Sequence, residues 1–94
     1  MFNENNIVKN LIKINGRNHQ LTVAIEELSE LQKEITKLIR NKGDFQNILE
    51  EVADVYIALE TIQTVMGFYD GEIEDKISEK KKRTIERLIN GDCK

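Results

Sequence analysis

The 94-residue chain has no proline, no tryptophan and a single cysteine, Cys93. Without proline, long helices can run uninterrupted between the five glycines. With no tryptophan, three Phe and two Tyr, any core must be built from Ile, Leu, Val and Ala. One cysteine cannot form an internal disulfide, so Cys93 is read as a bystander and the chain as cytoplasmic. No apolar run approaches the roughly 20 residues that a membrane span requires. Met1 is followed closely by polar Asn3, Glu4, Asn5 and Asn6, which is not the pattern of a signal peptide. A basic surplus is missing too: the net charge is −3 and the pI about 5.2. Nucleic acid is therefore not an expected partner, because its phosphates need a basic face. A chain this short buries only a modest fraction of its own surface, which favours a homo-oligomer.

What is present is helical periodicity punctuated by glycine. Gly16, Gly43, the pair Gly67/Gly71 and Gly91 divide the chain into four segments of one domain, residues 1–94. The first, about Asn3 to Ile14, carries Ile7, Leu11 and Ile14 at helical spacing. The second, about Asn18 to Asn41, places Leu21, Ala24, Ile25, Leu28, Leu31, Ile35 and Leu38 on one stripe, with Gly43 as its expected terminator. The third starts after Asp44, a good N-cap, and reaches Met66. It is apolar nearly all round, which predicts a central helix covered in part by a second copy of the chain. The fourth, Gly71 to Asn90, is mostly charged, with Asp70 as its expected cap and Gly91 at its end.

The informative residues are acids that interrupt this pattern. In the second segment Glu27, Glu30 and Glu34 are spaced i, i+3, i+7 and fall on one narrow strip beside the apolar stripe. In the third, Glu51 and Asp54 repeat the i, i+3 spacing on a helix that is otherwise apolar. Clustering like charges on partly buried faces is costly unless a cation neutralises them. An all-oxygen carboxylate set suits a hard divalent ion, Mg²⁺ above all, with Mn²⁺ as a substitute. The short connection near Gly43 predicts an antiparallel hairpin that brings Glu27/Glu30 and Glu51/Asp54 to comparable heights. Glu26, Glu50 and Glu60 are read as surface residues.

These residues resemble a known family. The stretch Ala24-Ile25-Glu26-Glu27-Leu28-Ser29-Glu30-Leu31, followed by Leu49-Glu50-Glu51-Val52-Ala53-Asp54-Val55, is similar to the MazG-like all-α nucleoside triphosphate pyrophosphohydrolases. The likeness is E-x-x-E, twenty intervening residues, then E-x-x-D, and it covers the second and third segments. It implies an all-α, four-helix domain that forms an intertwined helical-bundle dimer or dimer of dimers. The implied reaction is hydrolysis of a (deoxy)nucleoside triphosphate between the α- and β-phosphates, giving the monophosphate and pyrophosphate. Glu27, Glu30, Glu51 and Asp54 would then hold Mg²⁺, and Glu27 or Glu30 would act as general base. By position alone, Glu34 and two residues of the basic run Lys80-Lys81-Lys82-Arg83, Lys80 and Arg83, become candidate substrate contacts.

The remaining features have plainer readings. His19 is a surface or helix-start residue and no zinc site; Tyr56 is expected in the core. Lys37, Arg40 and Lys42 near the hairpin end are read as a solvated basic face. A di-iron bundle would need E-x-x-H pairs, and His19 does not lie three residues after any Glu. The competing class is a non-catalytic helical dimerisation or adaptor module, which would be indifferent to Mg²⁺.

Overall fold

The computed structural model describes residues 6–91. They form four α-helices and no strand: α1 (Ile7–Asn15), α2 (Arg17–Ile39), α3 (Phe45–Met66) and α4 (Asp70–Ile89). None of the four is long and apolar enough to cross a membrane. The all-helical reading of the sequence holds. Asn3–Asn5, expected at the start of the first helix, and Cys93 lie outside the described residues.

Local chemistry sets the helix ends. Asp44 caps α3 as expected, its carboxylate accepting from the backbone N–H of Gln46 at 2.9 Å and of Asn47 at 3.1 Å. Replacing it by Ala should cost ~1 kcal/mol and lower Tm by roughly 4–8 °C, readable by thermal denaturation followed by circular dichroism. The end of α2 differs from expectation. The helix stops at Ile39, and the left-handed residue is Asn41, with φ +61°. Asparagine tolerates that conformation, and the N–H of Lys42 then closes the turn on the Lys37 carbonyl. Gly43 is favoured for a different reason. A Cβ there would come within 2.9 Å of Leu38 Cδ1 and 3.2 Å of Leu38 Cα.

At the other end of α3, Gly67 adopts φ +74°, and the N–H groups of Gly67 and Phe68 both donate to the Gln63 carbonyl. Asp70 does not cap α4: it is already helical, and Tyr69 holds the cap position. Glu72 Oε1 accepts from the Tyr69 N–H, leaving Asp70 to accept from Gln63 Nε2 at 2.7 Å. That bond spans the turn between α3 and α4.

Helices α2 and α3 form an antiparallel hairpin, and α1 lies against both; α4 packs on none of the other three. Expectation and structure part most clearly over which faces pack. On α2 the buried residues are Gln20, Ala24 and Glu34; of the expected stripe Ala24 is buried, Leu21 and Leu31 are half-buried, and Ile25, Leu28, Ile35 and Leu38 are exposed. The packed face of α2 thus combines one edge of the apolar stripe, Ala24 and Leu31, with the acid strip of Glu27 and Glu34 beside it. On α3 the buried residues are Ala58 and Thr61; Tyr56, expected in the core, is 71% exposed, together with Leu49 and Leu59. On α1 it is Val8 that is buried, while Ile14 faces out. The small residues Ala24 and Ala58 are among the most buried side chains of the hairpin. The larger apolar side chains are left on the outside.

Candidate functional site

The hairpin brings three of the four motif acids together. One carboxylate oxygen each from Glu27, Glu51 and Asp54 lies within 4.8 Å of the others. Glu27 stands two turns after Gln20 on the packed face of α2, and Glu51 and Asp54 stand one turn apart on the packed face of α3. Buried Ala24 and Ala58 lie on the same two faces. Glu30 lies outside this trio and is exposed, although its charge still acts on Glu51. Glu34 is buried one turn further along α2. Its Oε1 accepts from Lys37 Nζ at 3.2 Å, and its Oε2 is buried without a hydrogen-bond partner.

The electrostatics of the trio are those of crowded like charges. Burial raises the pKa of Glu27 above the ordinary carboxylate value, and the Asp54 charge and a hydrogen bond to Asp54 raise it further. Burial likewise raises the pKa of Glu51, reinforced by Asp54, Glu30 and Glu34. No lysine or arginine forms an ion pair with any of the three among the described residues. Glu51 Oε2 is buried with no hydrogen-bond partner. An orphaned carboxylate oxygen beside two further carboxylates is a donor set that fits a hard divalent cation. Mg²⁺ meets that chemistry, and Glu27, Glu51 and Asp54 are the residues that would hold it.

A small cavity of about 120 Å³ adjoins the trio, with Glu27 and Asp54 in its wall. Two of its other lining residues, Gln20 and Thr61, were not singled out from the sequence. Both are buried and polar. Gln20 Oε1 accepts from Asn15 Nδ2 at 3.0 Å, and the Thr61 hydroxyl donates to the Ile57 carbonyl at 3.1 Å. A signal for Gln20 existed: it is spaced i, i+4, i+7 with Ala24 and Glu27, and so belongs to the same strip. Lys80 and Arg83 are not brought to the trio within the protomer. They are exposed on α4, where Arg83 pairs with Glu79 at 3.6 Å. His19 is exposed, as are Glu26, Glu50 and Glu60.

No family model matches the chain, and comparison with curated proteins and with solved structures gives no match either. The functional reading therefore stands on the acid pattern and its geometry.

Proposed function

We propose that the protein is a Mg²⁺-dependent nucleoside triphosphate pyrophosphohydrolase that works as a homo-oligomer. The observation that carries this reading is the convergence of Glu27, Glu51 and Asp54 within 4.8 Å, with Glu51 Oε2 buried and unpartnered. Three crowded carboxylates without a cation oppose one another; with a divalent ion they become a phosphate-binding centre. When bound, Mg²⁺ offsets phosphate charge and acidifies water. The protein's own residues do the rest. Glu27, Glu51 and Asp54 orient the triphosphate by holding its counter-ion on two rigid helices. Glu30, exposed and outside the trio but one turn from Glu27, accepts the proton of the attacking water. Hydrolysis of the α–β phosphoanhydride then releases the monophosphate and pyrophosphate.

Two experiments test the reading. Chromatographic identification of products from a nucleoside triphosphate should show monophosphate and pyrophosphate; diphosphate and orthophosphate would contradict the assigned bond. Glu30→Gln should lower kcat on the order of a hundredfold, the scale of a lost general base, with Mg²⁺ affinity retained. Loss of Mg²⁺ affinity in that variant would make Glu30 a ligand instead.

The extent of exposed surface supports the oligomer. The chain exposes 7901 Å², against about 5,600 Å² for a compact monomer of its mass. The excess, on the order of 2,000 Å² per chain, falls in the range buried by obligate homodimers. The radius of gyration of 16.6 Å likewise exceeds the roughly 12–13 Å of a compact chain of this length.

A further inference from the structure

We propose that the acidic first half of α4 docks into the groove between α1 and α3 of a second copy of the chain. The groove, about 530 Å³, has an aliphatic floor of Ile12 and Val65 and a rim of Lys9, Lys13 and Arg17. None of these three cations pairs with a carboxylate among the described residues. An amphipathic, acidic segment is the occupant complementary to it in charge and polarity.

Helix α4 has that character. Residues 70–75 carry four acids and no base. At 100° per residue Asp70 and Glu74 flank the Ile73/Ile77 stripe on one side. Asp70 and Glu74 are one helical turn apart, and so are Lys9 and Lys13; the two rows share a rise of about 6 Å and can face each other in register. The apolar stripe of α4 is only partly covered in its own chain: Ile73 is half-buried, but Ile77 is 46% exposed and Leu88 59%.

The same chain's α4 is not the occupant. It leaves α3 after the Gly67 turn and packs on no other helix of its own chain. A second copy supplies the matching element, and the exposed area in excess of a compact monomer is what such an exchange would bury. This inference concerns assembly and stands whether or not the chain is catalytic.

Charge reversal and cross-linking test it. In sedimentation velocity the wild-type chain should be a dimer or larger. Lys9→Glu with Lys13→Glu should raise its dissociation constant at least about tenfold. Adding Glu74→Lys to the same chain, which leaves the Gln63–Asp70 hydrogen bond in place, should recover association at least in part. A monomeric wild type, an unchanged dissociation constant, or no recovery in the reversed chain would overturn the proposal. A second measurement does not depend on the reversed variants folding. With Cys93→Ser in both, a Lys13→Cys chain mixed with a Glu74→Cys chain should form a covalent dimer on mild oxidation. Absence of that dimer from the mixture, or an intrachain disulfide when both cysteines are placed in one chain, would count against a second copy as the occupant.

Discussion

Glu51→Gln should abolish Mg²⁺-dependent turnover, lowering kcat/KM at least about a hundredfold while leaving helical content intact. The amide keeps the shape of the side chain but removes the charge that a cation needs. Glu51 is the sharpest position for this test because its Oε2 has no protein partner to lose. Truncating a group that holds the fold together disrupts structure; truncating one whose oxygen is orphaned should not. Asp54→Asn should behave alike, since Asp54 completes the same trio. Steady-state kinetics with circular dichroism on the same samples reads both halves of the expectation. Loss of helicity in either variant would mark these acids as structural.

The second large effect is on stability and carries the opposite sign. In EDTA, Glu51→Gln should melt at a higher temperature than wild type, because it relieves repulsion among Glu27, Asp54 and Glu51. In Mg²⁺ the order should reverse, since only the wild type gains the stabilisation of a bound ligand. The pH dependence follows from the raised carboxyl pKa values of Glu27 and Glu51. A carboxyl group that binds its proton more tightly in the folded than in the unfolded state stabilises the fold at low pH. That contribution is lost as pH rises from 4.5 through the raised folded value. The apoprotein should therefore lose stability across that window. The increase in Tm on adding Mg²⁺ should grow over the same window and fade as pH drops toward 4.5, because proton and metal compete for the same oxygens. Differential scanning fluorimetry across pH, with Mg²⁺ and with EDTA, measures all of these effects.

Much of the fold was legible because few residues opposed it. Without proline, and with glycine confined to the breaks, the four helices could be delimited to within a few residues. The Asp44 cap was readable as well. What periodicity could not decide was which face of α2 meets α3. The stripe of Ile25, Leu28, Ile35 and Leu38 is the most apolar one, and the ordinary inference is that it packs inward. The structure rotates the packed face toward the acid strip: Ala24 and Leu31 at the edge of the stripe are covered, and Leu28 and Ile35 are not. The same displacement explains Tyr56, which sits on the far side of α3 from Ala58. Expectations of a conventional core fail where the apolar surface faces away from the protomer.

The candidate site was more legible than the core. Pairs of acids at i, i+3 on two helices joined by a short turn are constrained by helix geometry alone, so Glu27, Glu51 and Asp54 could be placed together in advance. Glu30 could not be excluded from that set by spacing, because Glu27 and Glu30 differ by about 60° around the helix and only the docking angle of α3 decides between them. Gln20 was missed because a lone glutamine near a helix start carries no chemical signal until its burial is known. The terminator of α2 was misplaced for a similar reason. Gly43 is the more obvious breaker, yet Asn41 takes the left-handed position and Gly43 serves close packing against Leu38.

Pyrophosphate release from a panel of ribo- and deoxyribonucleoside triphosphates, in Mg²⁺ and in EDTA, tests the central claim most directly. Release from at least one nucleotide in Mg²⁺, abolished by EDTA and by Glu51→Gln, is the result expected of the carboxylate trio. No release from any nucleotide by the folded wild-type protein, or release that is indifferent to EDTA, would contradict it.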